Sequence, residues 1–181
     1  QSGTTTDTNR TVDLLRSRGA AVIGIVNRRA SGLVDKADGI LYTSDRRDIE
    51  MSVASTKAFY AQVAAGALPA CAISEAAGVG SDQRRHDLLR GLRELPDAMR
   101  LVIAKRPEIA DAARRFAPSK RYWAVVGNGP NHVAAEEVRI KLSELCYKSI
   151  PADVTEDKKH IDLSSEPLIL VCAAGLRGSN A

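Results

Sequence analysis

The hydrophobic pattern of the chain switches between two periods. Ala20 to Val26, AAVIGIV, is a continuous apolar run, the signature of a strand buried on both faces of a parallel sheet. Before it, Val12, Leu14 and Leu15 give a helical pattern closed by Gly19, with Asp7 or Thr8 as the expected N-cap. Gly39 to Tyr42, GILY, reads as a second short strand after a polar crossover with about one helical turn. From about Ser55 an Ala-rich, largely apolar stretch predicts a buried helix. Arg84 to Leu95 and Asp97 to Phe116 predict amphipathic helices with a solvated Arg face, which Pro96 and Pro107 interrupt or start. Arg121 to Val126, RYWAVV, and Leu168 to Cys172, LILVC, predict two further strands, and Asn131 to Tyr147 a helix between them. Strands alternating with helices predict an α/β fold with parallel sheets flanked by helices. Because a strand, a Gly-containing loop and a helix recur in the second half, the chain is expected to hold two related α/β units.

Charge changes this picture little. The net charge of +4 over 181 residues is spread over pairs such as Arg28-Arg29 and Arg46-Arg47, with only 4% aromatic residues to interleave for base stacking. Nucleic acid is therefore not an expected partner, whereas a small anionic substrate is compatible with mild basicity. Cys71, Cys146 and Cys172 lack metal-binding spacing, and their odd number fits a reduced, cytoplasmic protein. No apolar run is long enough for a membrane helix, so no membrane association is expected. No metal or organic cofactor is called for. The chain opens on Gln1 rather than Met and stops shortly after an apolar strand, so both ends are expected to be cuts through a longer protein.

Four stretches could carry chemistry. In QSGTTTDT, Ser2, Thr4, Thr5 and Thr6 surround Gly3 ahead of a helix. Such a loop offers N–H groups, hydroxyls and a favourable dipole to a phosphate, or simply caps the helix. Ser55 and Thr56 offer the same choice at a second helix start, where Lys57 in the first turn opposes the dipole and an anion nearby would compensate it. Gly127-Asn-Gly-Pro-Asn131 is either a tight turn or a place where backbone approaches a ligand closely. On the helix that follows, Glu137, Lys141 and Glu144 fall at i, i+4 and i+7, which puts two carboxylates and an ammonium on one face. They are either a surface ladder or a proton-transfer set of the kind that moves a proton beside a carbonyl, with His160 available to shuttle a hydroxyl proton.

Four motifs in order resemble those of the sugar isomerase (SIS) domains of the glutamine:fructose-6-phosphate amidotransferase family. They are Gln1–Thr8, like the family's SQSGETADT; Val53–Phe59, VASTKAF, like its VASTKAF; Gly127–Asn131, like its GRGxN; and Ala135–Tyr147, like its ALEGALKLKEISY. The resemblance implies two SIS-type units in a three-layer αβα arrangement. Residues 1–80 would be the first unit, incomplete at its start, 81–118 a helical connector, and 119–181 the second unit, incomplete at its end. It implies that Gln1, Ser2, Thr5 and Ser55 bind a sugar phosphate, with the backbone of Val53 beside it. It also implies that Glu144 moves the proton between the first two sugar carbons, that Lys141 and Glu137 support it, and that His160 opens the ring from the neighbouring subunit of a homodimer. The implied ligands are fructose 6-phosphate and glucosamine 6-phosphate, and the parent protein would carry a glutaminase domain and act as an aminotransferase and isomerase in amino sugar synthesis. Where the family has Gly-Pro after its histidine, this chain has Ile161-Asp162. The alternatives are a phosphosugar deglycase or isomerase without a glutaminase, and a non-catalytic sugar-phosphate sensor.

Overall fold

The computed structural model describes residues 1–45, 49–158 and 166–175. The chain divides into two compact units, Gln1–Ala98 and Met99–Ala181.

The first unit runs α1 (Thr6–Ser17), β1 (Ile23–Val26), α2 (Gly32–Lys36), β2 (Gly39–Tyr42), α3 (Lys57–Ala76) and most of α4 (Asp82–Ala104). β1 and β2 pair in parallel, Ile23 opposite Gly39 and Val26 opposite Tyr42. Val12 of α1, Val26 of β1 and Leu33 of α2 form its core, with Val22, Val34, Ile40 and Tyr42 packed around them. The N-cap position of α1 is Thr5, which makes no side-chain capping bond, rather than the Asp7 or Thr8 expected two or three residues later. Its end follows a Schellman pattern: the Gly19 N–H donates to Arg16 O at 2.9 Å and the Ala20 N–H to Leu15 O at 3.1 Å, with Gly19 at φ +80°.

Two expectations of burial need correction. β1 buries Gly24 and Val26, half-buries Ile25 and leaves Ile23 exposed, so one face of the apolar run is covered and the other only in part. α3 buries only Ala58, and Tyr60, Val63, Leu68 and Ile73 are exposed. The lengths explain this. A helix of 20 residues is about 30 Å long, while strands of four residues span about 13 Å, so a two-stranded sheet covers only part of it. Proline placement also differs from the expected pattern. α4 continues through Pro96, and the break comes at Lys105, after which Pro107 sits in the first turn of α5 (Arg106–Phe116). A first-turn proline gives up no helical hydrogen bond, whereas Pro96 gives up one in an otherwise long amphipathic run.

The second unit contains α5, β3 (Trp123–Gly127), α6 (Pro130–Cys146), β4 (Ala152–Asp153), a 3₁₀ turn (Thr155–Lys158) and β5 (Leu168–Cys172). Its sheet is parallel, in the order β4-β3-β5, with Val125 opposite both Ala152 and Leu170. Val125, Ala135 and Ile150 form the core, and Val138 and Leu142 of α6 pack onto it. The structure is thus mixed α/β, with parallel sheets flanked by helices. No described helix is long and apolar enough to cross a membrane.

Candidate functional site

In the first unit the loop before α1 and the segment before α3 meet beyond the C-terminal end of β1, where open parallel sheets bind ligands. The meeting point is stitched by main chain. The Asn27 N–H donates to Gln1 O at 2.9 Å. The side-chain amides of Gln1 and Asn27 both donate to Glu50 O, at 3.2 and 2.9 Å. Asn27 is buried just past β1, so it anchors both segments to the strand. Gly3, at φ +70°, lies so close to Ser31 that a Cβ there would collide with the Ser31 hydroxyl, and its carbonyl accepts the Leu33 N–H at 3.0 Å. This approach turns the Ser2 side of the loop outward. There the Ser2 hydroxyl accepts from the N–H and hydroxyl of Thr4, at 3.3 and 3.0 Å.

Between these segments lies a cavity of about 400 Å³ lined by Gln1, Ser2, Thr5, Arg28, Glu50, Met51, Ser52 and Val53. Four of the five expected phosphate-site residues, Gln1, Ser2, Thr5 and Val53, thus share one cavity. Ser55 does not line it. That residue occupies the turn entering α3 with φ +27°, a left-handed value that costs a non-glycine residue energy.

The start of α3 holds an anion already, supplied by the chain. Glu50 reaches it from six residues before the N-cap Thr56. Its Oε1 accepts the Thr56 N–H at 2.7 Å and the Thr56 hydroxyl at 3.0 Å, and its Oε2 accepts the Ala58 N–H at 2.6 Å. The Thr56 N–H first, and the Ala58 N–H next, hold this carboxyl below the usual glutamate range. The compensating charge expected near Lys57 is therefore Glu50, and no ligand is needed to explain that helix start. Capping rules look within three residues of the N-cap, so they pass over Glu50. Arg28 carries no sequence mark of its place in the cavity, since the Arg28-Arg29 pair has the pattern of a solvated loop.

In the second unit, α6 leaves β3 through the Gly127–Asn131 turn. A Cβ on Gly127 would meet the backbone of Asn131, so the tight turn accounts for this glycine without a ligand. Gly129, at φ +54°, precedes Pro130 in the first helical turn. The side chains of Asn128 and Asn131 each hold a neighbouring loop. Asn128 Oδ1 accepts the N–H and hydroxyl of Thr155, at 2.9 and 3.0 Å. Asn131 donates to Ala174 O at 2.9 Å and accepts the Ala174 N–H at 3.1 Å.

Ala135, Val138 and Leu142 face the core, which leaves Glu137, Lys141 and Glu144 along the flank of α6, the first two half-buried and Glu144 exposed. Lys141 Nζ lies 2.9 Å from Glu137 Oε1 and 3.9 Å from Glu144 Oε2. The closer contact is off the hydrogen-bonding direction, so Glu137 Oε1 has an ion pair but no aligned hydrogen bond. Glu144 is the less tightly held carboxylate and the more exposed of the two. His160 lies outside the described residues. Among the described residues no group of His, Cys, Asp and Glu is arranged to hold a metal ion.

Residues 1–71, which include the cavity and all of its lining, match the SIS domain family. The chain carries a SIS domain. Relatives extend the match beyond it. Glutamine–fructose-6-phosphate aminotransferase (isomerizing) of Mycobacterium leprae is 35% identical over 182 residues, covering 99% of this chain and 29% of its own length. The protein of the same name from Thermus thermophilus is 32% identical over 176 residues, covering 96% of this chain and 29% of its own. Among solved structures, the C-terminal domain of glucosamine-fructose-6-phosphate aminotransferase from Francisella tularensis superposes with a TM-score of 0.82. It is 25% identical, and the match covers 94% of this chain and 49% of that one. The chain thus spans under a third of the length of the curated relatives it matches. It is related to the isomerase domains of these aminotransferases.

Proposed function

We propose that this chain is the core of the isomerase region of a glutamine-dependent fructose-6-phosphate aminotransferase that forms glucosamine 6-phosphate. The observation that carries the reading is the convergence of Gln1, Ser2, Thr5 and the Val53 segment on one cavity in the SIS domain. Amide, hydroxyl and backbone donors at the C-terminal end of a parallel strand suit a sugar phosphate. Ser55 enters as a further phosphate contact, reached if the turn before α3 relaxes from its left-handed backbone.

Proton transfer falls to α6. Glu144, held at 3.9 Å from Lys141, serves as the base that carries a proton between the first and second sugar carbons. Lys141 offers its charge to a developing enediolate oxygen. Glu137, at 2.9 Å, fixes the ammonium in place. His160 is the ring-opening group, donated across a homodimer. The second unit is a SIS-type fold like the first, and a glutaminase domain in the parent protein supplies ammonia.

The test is titration calorimetry and turnover with the full-length protein. Fructose 6-phosphate should bind at millimolar concentration or better, and glutamine-dependent glucosamine 6-phosphate should form. Absence of binding by both sugar phosphates refutes the reading. Sugar-phosphate binding and isomerisation without glutamine use leaves the site but removes the aminotransferase.

A further inference from the structure

Arg28 and Arg29 are consecutive, yet they do different things. Arg29 is folded back over the Tyr42 ring, 4.0 Å from its centroid, and donates to Ser44 O at 3.4 Å. Arg28 lines the cavity with Gln1, Ser2 and Thr5, and its guanidinium makes no ion pair or hydrogen bond among the described residues. Among the described residues the one carboxylate in the lining is Glu50, and its two oxygens accept N–H groups at the start of α3. Among the described residues the cavity therefore presents a guanidinium that is bonded to no protein group, beside hydroxyls and amides, while the Glu50 carboxylate is committed to the start of α3.

We infer that Arg28 is the charged anchor of this cavity, a specificity-determining residue that selects ligands carrying a phosphate dianion. The inference rests on the sugar-phosphate reading of the site and adds the group that supplies its charge. A guanidinium never deprotonates in the working pH range and can meet two phosphate oxygens through two parallel N–H donors. Neutral hydroxyl and amide donors alone discriminate a phosphate dianion from a monoanion less strongly than they do with a fixed cation beside them. A fixed cation favours the dianion, whose second ionisation lies near pH 6. Binding should therefore strengthen as pH rises through about 6 in the wild-type protein, and this rise should shrink when Arg28 is replaced. The chemistry excludes the dephosphorylated sugar as a ligand.

The experiment is calorimetry on the full-length protein with three probes: inorganic phosphate, fructose 6-phosphate and fructose. Arg28→Ala should weaken both phosphate-bearing probes by a similar factor, about tenfold to a hundredfold. Arg28→Lys should recover part of the loss, because it keeps the charge and gives up the paired donors. In turnover, KM should rise by the same factor while kcat stays near wild type. Should Arg28→Ala fail to fold, Arg28→Lys still decides, since a several-fold weakening with an unchanged circular dichroism spectrum is the expected result. Affinities within twofold of wild type in the folded variants overturn the inference while leaving the sugar-phosphate reading intact. Arg28-dependent uptake of inorganic phosphate without uptake of fructose 6-phosphate supports the anchor and removes the sugar. A wild-type protein that binds neither phosphate probe removes both.

Discussion

Removing the Glu50 carboxylate tests how the cavity and α3 are joined. Glu50→Ala leaves the Thr56 and Ala58 N–H groups without their acceptor and leaves Lys57 facing the helix dipole uncompensated. Loss of a side-chain N-cap costs about 1 kcal/mol, within a range of about 0.5–2. The lost charge–dipole attraction adds about 0.3–1 kcal/mol at an exposed position. Together they predict about 1.5–2 kcal/mol, or a factor of roughly ten to thirty in the opening equilibrium of the first turn of α3. The fitting assay is native-state hydrogen exchange at the Ala58 amide, since a chain of two units need not unfold in one step. Glu50→Gln keeps an acceptor and loses the charge, so about half the effect should remain. The pH dependence has a definite sign. Folding holds this carboxyl below its usual value, so its contribution is complete above the unfolded pKa of about 4.3 and is lost as pH falls through the folded value. Wild type and Glu50→Ala should therefore differ at pH 6 and converge in acid, below the folded value of that carboxyl. A change of less than twofold in Ala58 exchange at pH 6 would refute the argument.

Further outcomes follow from the same geometry. Glu144→Gln should lower isomerisation by about 10²–10⁴-fold with fructose 6-phosphate binding retained, read by turnover beside calorimetry; full activity in this variant would leave a binding role only. Gly3→Ala meets both the φ of +70° and the Ser31 hydroxyl, so thermal unfolding should show a loss of about 1–3 kcal/mol together with weaker phosphate uptake. Gly127→Ala pushes into the backbone of Asn131, which cannot rotate away, and a loss near the upper end of about 1–3 kcal/mol is expected by denaturant titration. Asp38 accepts the Val22 N–H at 2.8 Å and pairs with Arg16 at 2.7 Å, and these, in that order, hold its carboxyl low. Asp38→Asn should accordingly lower the urea midpoint at neutral pH and leave it unchanged in acid, below the folded value of that carboxyl.

Much of the architecture could be read along the chain because the strands are apolar runs bounded by glycine and polar residues. GILY, RYWAVV and LILVC all mark observed strands to within two residues. What the pattern misjudged was depth. An apolar residue reports that a side chain avoids water somewhere, and Tyr60 or Ile73 on α3 carries no mark of whether the sheet beneath is wide enough to cover it. Proline was likewise read as punctuation. Pro107 behaves that way, whereas Pro96 is carried inside α4 by the helix formers around it. The cavity was partly legible, since Gln1, Ser2 and Thr5 announce an anion loop through residue type alone. Glu50 and Arg28 could not be read in this way. Their roles depend on contacts between segments some twenty to fifty residues apart, such as Gln1 with Glu50 and Asn27 with Glu50. The ladder on α6 was legible as spacing, and the structure adds that Lys141 sits closer to Glu137 than to Glu144.

The pairing of Asn131 with Ala174 has a consequence for how this sequence can drift. The side-chain amide gives and takes one hydrogen bond with the main chain of a single residue, much as an adjoining strand would. It reads peptide rather than side chain, so position 174 can change its identity freely while the contact survives. Position 131 has no such freedom. An aspartate of the same shape would set an acceptor against the Ala174 carbonyl, and a leucine would satisfy neither group. A random-substitution library scored for folding should therefore be permissive at one end of this contact and nearly closed at the other.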